Sequence, residues 1–374
     1  MASLVMLAIM AGCAAFLYLK GTLMQGVTML FNAIVAGFIA SAFFEVLAAV
    51  LAKHAPGMAV WAQMICFLLL FILTVAVLQT IAMQLGKQKV DLGLWPERVG
   101  RIASGILIGY VITGQLFAAA TMGPLPPGYP YARFPERSAN PASPSKALLN
   151  PDGFVTGLFG TISKGSFAPI GQAKSFALLH ADYLDQLYLN RYKASSSVPV
   201  MTKTQALYLP PKGGLWEAPA DLRDGKGESA PSRPGQTLMM VRVGLKKSAL
   251  KDAGKFTLSQ LRLICSPSDQ APLAGSGKTA YPIGYVGADG HLELKPLSEK
   301  IIIKASDVSG KIKEIDFAFF VSAGMVPRLV GFKLNELEKV SAPVSGEDVP
   351  ELVRFQNSSA SDEEDDKTDT EERG

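Results

Sequence analysis

Residues 98–122, RVGRIASGILIGYVITGQLFAAATM, decide the fold of this chain. The stretch carries no charge after Arg101 and steps through four glycines, Gly100, Gly105, Gly109 and Gly114. A helix in water rarely holds so many glycines, because each costs about 1 kcal/mol relative to alanine. In a bilayer, small residues at four-residue spacing let two helix backbones approach closely. The stretch therefore predicts a membrane helix that packs through Gly105 and Gly109.

Three further apolar stretches precede it, at residues 2–19, 21–51 and 58–85. At ~1.5 Å per residue, the first spans about 27 Å, close to the thickness of a bilayer core. It has no Lys or Arg before Lys20 and so lacks the basic start of a cleaved signal peptide. We therefore expect residues 1–123 to form a four-helix membrane bundle whose solvent is the lipid bilayer.

Glu45 is the unusual group of the second stretch. It lies on a four-residue stripe of small side chains, in which Gly37 and Ser41 are predicted helix-packing residues. A carboxylate within a span costs about 2.5–3.5 kcal/mol on insertion scales, so it usually faces the bundle interior and finds a partner. Depth along the helices predicts a polar cluster of Glu45 with Gln63, Thr113 and Gln115. The cluster either joins the helices by hydrogen bonds or handles a proton or solute. In a third alternative, Glu45 extends by itself to the membrane–water interface.

Charge in the short loops predicts the orientation. The loop region after the third stretch holds Lys87, Lys89, Arg98 and Arg101, whereas the loop after the second stretch holds only Lys53. Because basic residues of short loops stay in the cytoplasm, the former loop is predicted to be cytoplasmic. The N-terminus and everything after residue 123 are then expected outside the cytoplasm.

The remainder divides by composition. Residues 124–151 are rich in proline and predict an extended linker, and residues 152–235 predict short helices and loops. Seven short runs with a period of two fill residues 236–340 and predict a soluble all-β sandwich of immunoglobulin-like type. Residues 341–374 end with eight acidic and two basic side chains over 362–374 and predict a disordered acidic tail.

No catalytic or metal-binding pattern stands out. Ser276-Gly277-Lys278-Thr279 ends like a phosphate-binding loop, but Pro272 occupies the place of a required glycine and β-type sequence follows. His54, His180 and His291 lie in separate segments, without zinc-site spacing or a nucleophile set. The basic residues are scattered, which argues against nucleic acid as a partner. We expect no enzyme activity, metal or cofactor.

Two stretches resemble the colicin V production protein family, bacterial inner-membrane proteins with four spans. Lys20-Gly21, followed by Gly26 and a long apolar run, resembles the family's entry into its second helix. Residues 95–109, WPERVGRIASGILIG, resemble its glycine-stepped fourth helix, although Glu97 stands where the family usually has Asp. The resemblance implies an inner-membrane location and a role in toxin production, toxin export or envelope maintenance, without catalytic residues. Residues 315–334 resemble extracytoplasmic immunoglobulin-like modules.

Together these observations predict a non-catalytic scaffold. The membrane bundle would anchor an outward β domain that binds another, unknown envelope protein. Four spans are few for a solute pathway in one chain, and the small-residue faces predict a homo-oligomer. The alternative is an oligomeric transporter or channel component that uses Glu45.

Overall fold

The computed structural model describes residues 1–85, 93–135, 139–164, 175–195, 197–269 and 275–358. The chain divides into two compact units. The helical unit comprises residues 1–133, 142–169 and 183–187, and the β-rich unit comprises residues 134–141, 170–182 and 188–374.

Four long helices build the helical unit: α1 (Ala2–Lys20), α2 (Leu23–His54), α3 (Ala59–Leu85) and α4 (Leu94–Met122). All four are long and apolar enough to cross a membrane, with mean hydropathy between 1.7 and 2.7. α4 is the least apolar of the four and the most buried, so it forms the centre of the unit. The expectation of four membrane-spanning helices is met in this coarse form. Lys87 and Lys89, which supported the predicted orientation, lie outside the described residues.

Contacts between the helices fix their directions. Gly26 of α2 lies against Ser104 of α4, and Gly37 of α2 lies against Gln115. The same offset at both places makes α2 and α4 parallel. α3 runs antiparallel to α2, since Asn32 Nδ2 donates to Gln79 Oε1 at 3.2 Å near one end and Phe44 packs against Phe67 near the other. Successive helices α2, α3 and α4 therefore alternate in direction within the unit.

The proline-rich segment is not the predicted extended linker. Within the described residues 124–133 and 142–151 it forms turns that pack in the helical unit, with Arg133 buried. Ser145 N donates to Arg133 O at 2.8 Å and Tyr129 N to Pro126 O at 2.9 Å. The prediction of a linker over 124–151 is wrong here because proline excludes a helix without excluding compact turns. The segment leads into α5 (Pro151–Ser163), which packs on α4 and α2.

Short helices and twelve strands make up the rest of the described chain. The helices are α6 (Phe176–Leu179), α7 (Tyr183–Arg191) and α8 (Leu250–Ala253). The strands are β1 (Leu207–Tyr208), β2 (Leu215–Glu217), β3 (Gln236–Lys246), β4 (Lys255–Thr257), β5 (Leu261–Pro267), β6 (Lys278–Ala280), β7 (Pro282–Val286), β8 (Leu292–Leu294), β9 (Lys300–Ile302), β10 (Ile312–Ser322), β11 (Met325–Phe332) and β12 (Glu336–Lys339).

Two antiparallel sheets share the main core of the β-rich unit. One has the order β1-β3-β10-β7-β8, with β2 also on β3, and the other has the order β12-β11-β5-β6. Val241 and Phe317 of the first sheet and Leu263 and Phe332 of the second belong to one buried cluster. A β-rich domain therefore follows the helices as expected. The strand orders of the two sheets do not establish an immunoglobulin-like sandwich.

The first half of the predicted acidic tail is part of this unit. Phe355 is 1% exposed within the main core, and Val353 N donates to Asp316 Oδ2 at 2.8 Å. Asn357 Nδ2 donates to Lys300 O at 2.8 Å. The disorder expected from residue 341 onward is therefore wrong over 341–358, where apolar side chains are available for burial. Residues 359–374 lie outside the described part of the chain.

Candidate functional site

Glu45 lies two turns before the end of α2 and is half-buried. Its charge acts on the phenol of Tyr183, the first residue of α7. Burial, and then the charge of Glu45, hold the pKa of Tyr183 well above its usual range. The sequence did not indicate this neighbour, because Tyr183 lies far from the apolar stretches.

The other predicted members of the cluster lie at a different level. Gln115 is buried, and its side-chain amide occupies the space where a Cβ on Gly37 would lie. Glu45 is eight residues beyond Gly37 on α2, which corresponds to about 12 Å along the helix axis. Gln115 therefore packs about two turns away from Glu45. The depths predicted from the helix ends differ from this arrangement because α2 extends further than its parallel neighbour α4.

Thr113 and Gln63 complete the set of predicted polar residues. Thr113 is fully buried, and its hydroxyl donates to Gly109 O in its own helix at 2.7 Å. Gln63 is half-buried near the start of α3. A different polar pair, Asn32 and Gln79, joins α2 to α3 by a hydrogen bond.

The predicted glycine positions lie at close helix contacts. A Cβ on Gly105 would be 2.5 Å from Ala14 Cα, and a Cβ on Gly109 would be 2.5 Å from Met10 Cα. The backbones of α1 and α4 therefore touch at both places, one turn apart. Ser41, on the predicted stripe of α2, is half-buried.

A second polar group of the helical unit was missed entirely. We call it the tyrosine–arginine network, and it consists of Tyr131, Arg133, Asp152 and Asp185. Tyr131 Oη donates to Asp152 Oδ2 at 2.6 Å, and Arg133 Nη1 donates to Tyr131 Oη at 3.1 Å. Arg133 Nε donates to Asp185 Oδ1 at 2.5 Å. One guanidinium thus holds one carboxylate directly and a second through a phenol.

The network is buried and holds one cation beside two carboxyl groups. Asp152 is 0% exposed and Arg133 is 7% exposed. Burial alone would lower the pKa of Arg133, but the Asp185 carboxylate and then Tyr131 raise it above its usual range. The cation is therefore fixed, and it ties residues 131–133 to α7 and, through Tyr131, to α5. The only hint in the sequence was the interruption of the proline-rich segment by Tyr131 and Arg133.

The β-rich unit also buries charge. Arg242 donates to both oxygens of Asp316, at 2.7 and 2.8 Å. Lys333 is 0% exposed, and its ammonium donates to Asp252 O at 2.5 Å and Lys255 O at 3.1 Å. Burial lowers the pKa of Lys333 to about 7, against the opposing effect of the Asp252 and Glu336 carboxylates. These groups lie inside the fold and serve its packing.

The remaining motifs of the sequence give no site within the described residues. Lys278 and Thr279 lie in strand β6, where Lys278 Nζ donates to Ser322 Oγ at 3.2 Å and Thr279 Oγ1 to Ala181 O at 2.8 Å. No group of three His, Cys, Asp or Glu side chains in this part of the chain could hold a metal ion.

Comparison with known proteins identifies no relative of this chain. Contacts between residues, and the resemblance of two short stretches, therefore carry the functional argument. No family model, no curated protein and no solved structure matches the chain.

Proposed function

We propose that the chain is a multi-pass membrane scaffold, in which the helical unit is the anchor and the β-rich unit binds another protein of the cell envelope. The close contact of the α1 and α4 backbones at Gly105 and Gly109 carries this proposal. Close backbone approach at small residues is the packing that membrane helices use, as expected of an anchor in lipid. The β-rich unit has a core of its own and so can present a stable surface.

We further propose that the scaffold is of the colicin V production type and serves toxin production, toxin export or envelope maintenance at the inner membrane. The two stretches that carry the resemblance lie against each other. Leu23 N donates to Glu97 Oε1 at 3.0 Å, and Gly26 packs against Ser104. This contact supports the view that both stretches belong to one packing motif.

In this proposal the N-terminus and the residues after 123 face away from the cytoplasm. A reporter enzyme that works only outside the cytoplasm, fused after Gly123, is expected to be active. A reporter that works only in the cytoplasm, fused at the same place, is expected to be inactive. The reverse pair of results would overturn the orientation.

In-cell crosslinking tests the scaffold itself. Leu294 is 47% exposed on the edge strand β8, so a photoreactive side chain placed there should capture the partner protein. The matched control is the same probe at Lys251, an exposed residue of α8. A discrete adduct at Leu294 that is absent at Lys251 supports the scaffold, whereas adducts at neither position contradict it.

A second candidate function is an oligomeric transporter or channel component that uses Glu45. The observation in its favour is the half-buried Glu45, whose charge acts on the buried phenol of Tyr183. Proton or ion flux into reconstituted vesicles tests it. The transporter predicts flux that Glu45→Gln abolishes and Lys53→Gln, at the end of the same helix, leaves intact. The scaffold predicts equal fluxes for both variants.

A further inference from the structure

We propose that residues 147–163, which include α5, form a re-entrant membrane segment that contacts lipid acyl chains. The segment is not one of the four candidate spans, and its 13-residue helix is too short to cross a bilayer. The proposal goes beyond the scaffold and does not depend on it.

The start of the segment lies beside the middle of α4. Tyr110 Oη donates to Leu149 O at 2.9 Å, and a Cβ on Gly114 would collide with Pro151 O. Tyr110 is twelve residues before Met122, the last residue of α4, a distance of about 18 Å along the helix. The chain therefore leaves α4 at Met122 and returns to its midpoint before α5 begins.

α5 remains at that level. Val155 is buried in one cluster with Ala33 of α2 and Val111 of α4. Further along α5, the ring of Phe159 lies 6.0 Å from that of Phe38, which is at the centre of α2 (Leu23–His54). An element that covered the end of the helices would contact their last turns. These contacts instead place α5 at the depth of the hydrocarbon core.

Several backbone groups of the turn before α5 have the internal partners that a bilayer requires. Leu149 and Asn150 have φ of +57° and +48°, so the chain reverses within two residues. Asn150 N donates to Ala147 O at 2.9 Å, Phe154 N donates to Asn150 O at 3.0 Å, and Tyr110 supplies a donor for Leu149 O. Backbone groups with internal partners of this kind are tolerated at membrane depth.

The outer face of the segment indicates its occupant. Leu148, Leu149 and Phe154 are 50%, 61% and 45% exposed. Leu107, one turn from Tyr110 on α4, is 49% exposed. These side chains form an apolar surface at one depth, beside helices that are apolar enough to span a bilayer. Acyl chains are therefore the medium that covers the segment as well as the spans. Lys146 and Lys164 flank the segment and are exposed, and long flanking lysines of this kind extend toward headgroups.

Thiol labelling of the full chain in lipid nanodiscs tests the proposal. Nanodiscs leave both membrane faces open to a water-soluble maleimide, so protection reports lipid and not sidedness. The variants are Phe154→Cys in the segment, Leu107→Cys as the lipid-facing reference on α4, and Lys212→Cys as the exposed reference in the β-rich unit. The unsubstituted chain gives the background of its three native cysteines.

The proposal predicts that Phe154→Cys is labelled as slowly as Leu107→Cys and much more slowly than Lys212→Cys. Labelling as fast as that of Lys212→Cys would overturn it. A photoreactive side chain at Leu148 gives a second, independent readout that does not depend on the reactivity of the native cysteines. Adducts with lipid are expected there, and adducts with water alone would contradict the proposal.

Discussion

The helical unit and the β-rich unit treat apolar surface in opposite ways. Exposed large apolar side chains are numerous on the helices, with Phe31 and Val46 of α2 and Ile72 of α3 all more than 60% exposed. Among the described residues, Leu294 is the single such side chain of the β-rich unit. A soluble surface rarely carries large contiguous apolar patches, so the contrast indicates two different solvents.

Polar groups show the same contrast. In the helical spans, hydroxyls donate to carbonyls of their own helix, as Thr113 does, or an amide meets an amide, as Asn32 meets Gln79. In the β-rich unit, full charges are paired inside the fold, as Arg242 is with Asp316. The comparison teaches that the buried interior between the spans avoids full charge, whereas the β-rich unit, like the tyrosine–arginine network outside the spans, includes paired charge.

The largest expected effect is loss of the β-rich unit alone. Phe317 is 1% exposed and lies between Phe256 and Tyr285 in the main core. Phe317→Ala is expected to cost about 3–5 kcal/mol, the usual cost of removing a buried ring. Thermal unfolding of the purified chain should lose the β transition while the helical signal persists. Simultaneous loss of both signals would contradict the separation into two units.

A smaller effect is expected from overpacking the helices. Gly109→Leu places a side chain on the backbone of α1 at Met10 and is expected to cost about 1–3 kcal/mol. Gly12→Leu on α1 is the matched control, because a Cβ at Gly12 meets nothing within 4 Å. Unfolding of the helical unit in nanodiscs should separate the two variants. Equal stability would show that α1 and α4 do not touch.

The pH dependence of stability sharpens the comparison from the side of the β-rich unit. The pKa of Lys333 is about 7 in the folded protein and near 10.5 when the side chain is free in water. Between these values the unfolded chain binds the extra proton, so Lys333 makes the unit more stable as pH rises above about 7. Below both values this contribution to the pH dependence disappears.

Denaturant melts of the unsubstituted chain and of Lys333→Met, at several pH values from about 6 to 10, isolate this contribution. As pH rises from about 7, the unsubstituted chain should gain stability relative to Lys333→Met. A difference that stays constant with pH would contradict the lowered pKa.

The smallest effect is expected at the surface of the same unit. Lys295 and Glu293 form an ion pair at 3.1 Å with about a third of each side chain exposed. Glu293→Gln is expected to change stability by less than about 1 kcal/mol, because exposed pairs contribute little. A change as large as that of Phe317→Ala, measured in the same melts, would show that surface charge and not the core sustains the unit.

Much of the helical unit could be predicted from the sequence, and its polar sites could not. Apolar length alone located α1 to α4, because a bilayer fixes the length of a span. To predict the depth of Glu45, the offset between α2 and α4 must be known. This offset is set by the contacts of Gly26 and Gly37 and not by the positions of the helix ends. α5 was expected outside the membrane bundle, because the bundle was assigned to residues 1–123 and only short helices were predicted over 152–235.

The β-rich unit shows a different limit. Alternation with a period of two located β3, β10 and β11, but the assignment of strands to sheets depends on pairings between distant residues. The packing of residues 341–358 was missed because the acidic composition at the end of the chain outweighed a few apolar positions such as Phe355. Composition predicts whether a segment can fold alone, but it does not predict whether the segment packs against a neighbouring sheet.

The central claim is that the helical unit lies in lipid. Alkaline carbonate extraction of membranes from cells that express the full chain tests it most directly. The claim predicts that the chain stays in the membrane pellet together with an integral membrane marker. Release of the chain into the supernatant, with peripheral proteins, would contradict it.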